Sequence, residues 1–224
     1  KFAASVNSKG LRSASAITVS NGSIHIGAVN NATVNGRLTA RSKTTTPSAI
    51  TVVAGHNAEI GKNAKLSTAS KTGDAGPVLV KAGNDLTVKS GAVISASSKT
   101  GNAGLVELSG NGVIDIGSGV SINLSAPNGK AGTLVIDPTD VVIGDTGQGD
   151  TGVTLSNTSV ANAIAALSAG ATYVVQADNS ITLAAHAVID ARRLDGSGHS
   201  TGNANNVELD AKTIDIVSGA KILA

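Results

Sequence analysis

The chain has 224 residues, 41% of them apolar, with 17 basic and 15 acidic side chains and a net charge of +2, which is enough to bury a sizeable core. It has no cysteine, methionine or tryptophan, so a disulfide framework and thiol chemistry are excluded; its charges are spread along the chain with no basic tract, which argues against a nucleic-acid partner. No run reaches the length of a membrane-spanning helix, and the opening "KFAASVNSKG" lacks the apolar stretch of a signal peptide, which implies either a cytosolic protein or an excised piece of a longer chain.

With one Phe and one Tyr, the core must be built from Val, Ile, Leu and Ala, while 27 glycines among abundant Asn, Ser and Thr predict many turns. In chain order, residues 15–20 read as an ordinary strand. Next, Ile24, Ile26, Val34 and Leu38 are matched by Ile50, Val52, Ile60 and Leu66, the step opening at 26 residues. From Ile50 the step is 28: Ile50, Val78, Val106 and Leu134 align, as do Val52, Val80, Leu108 and Ile136. The residues between them, Thr51, Leu79, Glu107 and Val135, are mixed, as expected of outward positions on a strand of period two.

Two further columns follow in each unit, Ala58, Leu86, Ile114 and Val142, then Leu66, Ile94 and Ile122, with polar Ser67, Ser95 and Asn123 outward. The turns "KTGDAG", "KTGNAG" and "PNGKAG" put glycine at 73, 101 and 129 and at 76, 104 and 132, where a positive φ or a close backbone approach is needed. Residues 156–170 break the pattern. Val160, Ile164 and Leu167 share one helical face, with Asn157 or Thr158 as N-cap and Gly170 as the stop. This predicts a short helix that covers a sheet face or edge. Beyond it the step is 33, pairing Val174 with Val207, Ile181 with Ile214, Leu183 with Ile216 and Ile189 with Ile222.

A unit of this size cannot bury its own apolar face, so units must stack. The pattern predicts an all-β fold, a right-handed parallel β-helix of about seven or eight units, roughly 35–40 Å long at the spacing of hydrogen-bonded strands. Residues 1–224 form one such domain, with a helix-bearing excursion over about 144–173. An antiparallel sandwich is the alternative, but hairpins do not require repeated 28-residue steps. Because residues 15–20 and 213–224 read as ordinary strands and not polar caps, both ends are expected to be open edges at which the chain continues or stacks end to end.

Some β-solenoids cleave polysaccharides, so paired carboxylates with basic helpers matter. Asp190, Arg192, Arg193, Asp195 and His199 are the best such group, in the loop that lengthens the step to 33, with only Tyr173 and Phe2 available to stack on sugar rings. Asp145 and Asp150 lie among glycines in "GDTGQGDTG", without the spacing of a calcium loop. His25, His56, His186 and His199 are isolated, which gives zinc little support. No phosphate loop or nucleophile elbow occurs. The reading is therefore of no catalytic, cofactor or metal site, with outward Ser, Thr, Asn and Lys ladders able to hydrogen-bond glycans or simply to be solvated.

"AGTLVIDPTDVVIG" (131–144), followed after a gap by "ANAIAALSAGATYVVQADNSITL" (161–183), resembles the two-partner secretion exoproteins, the filamentous haemagglutinin-like adhesins of Gram-negative bacteria. The likeness covers residues 71–224; the family's N-terminal secretion domain with its "NPxG" start is missing. Ile136, Asp137 and Pro138 are expected to close a unit and turn the chain toward the helix. The resemblance implies a non-enzymatic shaft segment, secreted through an outer-membrane transporter that recognises the missing domain. It further implies exposure at the cell surface and attachment to cells or biofilm matrix polysaccharide. A stalk of a contact-dependent toxin and, from another class, a polysaccharide-cleaving enzyme are the alternatives.

Overall fold

The computed structural model describes residues 3–6, 11–12, 16–41, 46–192, 197, 199 and 204–224. Three N-terminal strands come first: β1 (Ala3–Val6), β2 (Leu11–Arg12) and β3 (Ala16–Ser20). Four three-stranded units follow. The first is β4 (Ser23–Ala28), β5 (Ala32–Val34) and β6 (Arg37–Arg41), and the second β7 (Ile50–Ala54), β8 (Ala58–Ile60) and β9 (Lys65–Ser67). The third is β10 (Val78–Ala82), β11 (Leu86–Val88) and β12 (Val93–Ser95), and the fourth β13 (Leu105–Gly110), β14 (Ile114–Ile116) and β15 (Ser121–Asn123). Next come β16 (Thr133–Ile136), β17 (Asp140–Gly144), β18 (Leu155–Ser156) and the helix α1 (Asn157–Ala166). The chain ends with β19 (Thr172–Gln176), β20 (Ser180–Leu183) and β21 (Val188–Asp190), then β22 (Asn206–Asp210), β23 (Thr213–Ile216) and β24 (Lys221–Leu223).

The described fold is mostly β, and from β4 onward every strand pairing is parallel, so an antiparallel sandwich does not describe it. Each strand of a unit pairs with its counterpart in the next unit. Ile50, Val78, Val106 and Leu134 are direct partners across adjacent strands, and the residues two places on follow suit. These columns have 0% exposure. At about 1.5–3 kcal/mol for each aliphatic side chain removed from water, the shared column is the main term holding unit to unit.

The 28-residue step fails where the helix enters. Ile114 does not meet Val142: its amide donates to the Thr154 carbonyl, and the inward residues of β17 are Val141 and Ile143, paired with Ile181 and Leu183. The short strand β18 is inserted beside β17, with Leu155 opposite Ile143. After the helix the column is offset by one position: Val207 pairs with Tyr173, and Val174 faces Glu208. The other three expected 33-residue pairs hold. The bulky Tyr173 side chain, itself 0% exposed, takes the inward place that pattern reasoning gave to its neighbour Val174.

The helix itself is capped by Ser156, whose Oγ accepts from the Ser159 amide at 3.1 Å, and it ends at Leu167; Gly170, at φ +78°, belongs to the turn that follows. Val160, Ala163, Ile164 and Leu167 are buried. Its polar side chains finish the edge of β14: Ser159 Oγ accepts from the Ile116 amide at 3.2 Å and Asn162 Nδ2 donates to the Ile116 carbonyl at 2.7 Å. Thus the segment covers a sheet edge, as expected, and α1 packs between β14 and β21. The turn at Ile136, Asp137 and Pro138 does not lead straight to it. The chain passes from β16 into β17 and leaves for the helix only after Gly144.

Residues 16–20 are not an ordinary strand. β3 folds back antiparallel on β4, and β1 and β2 likewise run antiparallel on β6 and β5, so all three edges of the first unit are paired. At the other end β22, β23 and β24 pair in parallel as expected, and Ile214, Ile216, Val217 and Ile222 are 41%, 60%, 44% and 49% exposed.

Of the turn glycines at 73, 101 and 129 and at 76, 104 and 132, only Gly73 has a positive φ. Gly104 is required by close approach, because a Cβ there would run into the carbonyl oxygen of Gly76 in the unit before. Leu108→Ala should therefore cost about 2–5 kcal/mol and Gly104→Ala about 1–3 kcal/mol. Exposed Val113→Ala should stay within about 0.5 kcal/mol, all by denaturant unfolding. Tyr173 Oη is buried without a hydrogen-bond partner, so Tyr173→Phe should leave stability unchanged or raise it by about 1 kcal/mol in the same assay.

Candidate functional site

The strands β6, β9, β12 and β15 form one sheet with β1. Their outward positions and the turns on either side carry a set of cations that the sequence disperses. Arg37 lies opposite Lys65 on adjacent strands. Lys71 and Lys99 sit at equivalent corners, where the Lys99 amide donates to the Ser70 carbonyl. Lys62 and Lys89 occupy the preceding corners, and Arg41 and Lys130 complete the set; all eight side chains are exposed. Residues 37–41, 61–73, 89–101 and 117–130 contain no Asp or Glu; the acidic residue at the margin of this face is Asp74, exposed in the turn after Lys71 and in the same column as Asn102 and Lys130.

The neighbouring sheet, β2, β5, β8, β11 and β14, has the opposite character. Thr33, Glu59, Thr87 and Asp115 are partners in one outward row. Beside them runs a ladder in which a side-chain oxygen caps an amide of the next unit. Asn31 Oδ1 accepts from the Asn57 amide, Asn57 Oδ1 from the Asp85 amide and Asp85 Oδ1 from the Val113 amide, at 2.8–3.1 Å. Asn31, Thr33, Asn57, Glu59, Asp85 and Thr87 of these rows line a shallow trough of about 270 Å³, with Asp115 one strand beyond it. No Lys or Arg lies in the stretches 29–34, 55–60, 83–88 and 111–116.

On the eight-stranded sheet, Lys81 Nζ lies 2.6 Å from Glu107 Oε1, and this bond holds the Lys81 ammonium above its ordinary pKa. Burial, then the Glu107 charge, pushes the nearby Asp137 carboxyl up.

The residues singled out for chemistry do not converge. Asp190 and Arg192 form a bidentate pair at 2.8 and 2.7 Å, which lowers the carboxyl pKa and leaves both groups engaged with each other. His199 is exposed, and Arg193, Asp195 and Phe2 lie outside the described residues. Tyr173 is a core residue whose phenol is pushed up by burial, so it offers no platform to a sugar. The acidic loop is tied to the protein itself: Asp145 Oδ1 accepts from the Gly147 amide at 2.9 Å, and Asp150 takes the Asp145 amide at 2.8 Å and His186 Nδ1 at 3.0 Å. His25 and His56 are exposed and apart from it. Among the described residues no three His, Asp or Glu are grouped to hold a metal, and no helix is long and apolar enough to cross a membrane.

The two segments that carried the family resemblance meet in space. Asp140, in the first, accepts from the Ser180 hydroxyl at 2.7 Å and the Ser180 amide at 3.1 Å, in the second. Those bonds, with Asn179 and the Lys212 charge, hold the Asp140 carboxyl below its usual range. The chain matches no family model, no curated protein and no solved structure.

Asp140, Asp150 and Asp190 all have depressed pKa values in the fold, Asp150 chiefly through the Asp145 amide. Their contribution is complete above the unfolded carboxylate pKa near 3.9 and is lost as pH falls through the lower folded values. Thermal unfolding should thus shift downward as pH drops from about 5 toward about 2, and Asp150→Asn should flatten part of that slope.

Proposed function

We propose that this chain is a shaft segment of a large secreted adhesin of the two-partner secretion kind, folded as a right-handed parallel β-helix, and that it holds acidic matrix polysaccharide without cleaving it. The parallel pairing of unit on unit supports the architecture, and its hand follows from the strong preference for right-handed connections between parallel strands of one sheet. Side-by-side placement of the "VIDPTD" and "QADNS" segments, bonded through Asp140 and Ser180, supports the resemblance. On this reading the protein acts outside a Gram-negative cell, and the outer-membrane transporter engages a domain other than this one.

The observation that carries the binding role is the basic face. Arg37, Lys65, Lys71 and Lys99 present cations at successive units, outnumbering the acid at the margin, Asp74, whose Oδ1 accepts from the Asn102 amide. Guanidinium and ammonium groups bind carboxylates and sulfates by charge-assisted hydrogen bonds. Each contact is weak when exposed, but a linear polymer engages many at once, so affinity accumulates along the strand. The rigid stacking holds those cations in a fixed row, which lowers the ordering cost of binding.

Surface binding of the purified chain to an immobilised uronate polymer, with a neutral glucan as control, tests this. Binding should be confined to the uronate, fall with salt, and weaken by about tenfold or more in the Lys65→Glu, Lys71→Glu, Lys99→Glu variant. Equal capture of the glucan, or an unaffected variant, would sink the binding role; new reducing ends on incubation would sink the non-enzymatic one.

A further inference from the structure

Charge of opposite sign is concentrated on two different sheets, and among the described residues neither set is paired within the chain. The ion pairs among the described residues are Lys81–Glu107, His186–Asp150 and Arg192–Asp190. Glu59, Asp85 and Asp115 on one face, and Arg37, Lys65 and Lys99 on the other, take part in none of them.

We propose that these faces dock on each other between copies: the acidic trough of one chain receives the basic face of a second, so that shafts associate side by side. This goes beyond the polysaccharide reading and does not depend on it. Both rows rise with the same strand-to-strand spacing of about 4.8 Å, so charges on one copy meet charges on the other at several units in a single register. The trough is shallow, about 270 Å³, with Thr33 and Thr87 on either side of Glu59, Asp85 in its lining and Asp115 one strand beyond Thr87. Lysine and arginine stems can lie along such a floor while their heads reach Glu59 and Asp85, with Asp115 at the next unit. A net charge of only +2 sets little overall repulsion against the approach.

The two faces of the contact are different surfaces, which makes the interface heterologous. A copy whose trough is filled still presents its own basic face, so the association continues from shaft to shaft instead of stopping at a dimer. A polyanion bound to the basic face competes for the same cations, so polysaccharide loosens the bundle.

Sedimentation velocity of the whole chain from about 0.01 M to about 1 M salt, over which the Debye length falls from about 30 Å to about 3 Å, reads this directly. Species larger than the monomer are expected at low salt and monomer at high salt. The outward-facing variants Glu59→Lys with Asp115→Lys, and Arg37→Glu with Lys65→Glu and Lys99→Glu, should each lose self-association by about tenfold or more. Mixing the two variants should restore a complex, because the reversed faces again match; circular dichroism checks that both are folded. A chain that stays monomeric at low salt, association that persists at high salt, or a mixture that does not recombine overturns the proposal. Persistence at high salt would point instead to the apolar side chains exposed on β23 and β24. None of these measurements contains polysaccharide, so failure here leaves the binding role standing.

Discussion

Everything in this fold depends on one unit laying its inward aliphatic side chains directly on those of the next while the backbones pair in parallel. Ile50, Val78, Val106 and Leu134 are at once strand partners and core neighbours. Because both roles fall on the same residues, a slip of register by one position would turn the core outward along a whole strand. The polar groups obey the same constraint: the Asn31, Asn57 and Asp85 ladder returns at the same place in each unit and satisfies an amide of the next. Even the glycine at 104 is set by it, since the carbonyl of Gly76 comes too near for a side chain.

Much of this was legible in the residues, and the misses have physical causes. The 28-residue columns and most downstream pairs could be read because period-two alternation and recurrence agree there. They disagree near the helix. Pattern matching favoured Val174 over Tyr173 as the inward residue because valine resembled the rest of the column, whereas the backbone offset introduced by the helix sends the tyrosine inward. Val142 was misplaced for a related reason: β18 enters beside β17, an insertion that a fixed step cannot represent. The antiparallel strands at residues 3–20 carry no signal distinguishing them from the parallel strands that follow, because alternation is the same in both.

The basic face shows the opposite failure. Read linearly, lysines and arginines are scattered and suggest nothing; folded, eight of them are gathered on one side, and Glu59, Asp85 and Asp115 on another. The clue was available in the recurrence of Lys71 at Lys99 and of Arg37 at Lys65, each at the step of the repeat. A repeat turns sequence period into surface composition, so charge in such chains is better counted by column than by window. By contrast, Asp190, Arg192 and His199 were selected for being near in sequence, and the first two spend their hydrogen bonds on each other.

The helix has a mechanical corollary. Only the eight-stranded sheet runs from β3 to β22 without a break, while β14 and β15 end at α1 and β21 begins a separate pair beyond it. Under a pull along the stack, tension crosses most of the molecule through three rows of hydrogen bonds, but at this level one continuous row remains beside a helix joined by the isolated backbone bonds Ile114 to Thr154 and Ser168 to Ile122 and by its buried side chains. That level, where two of the three rows are interrupted, is where the stretched chain would yield first.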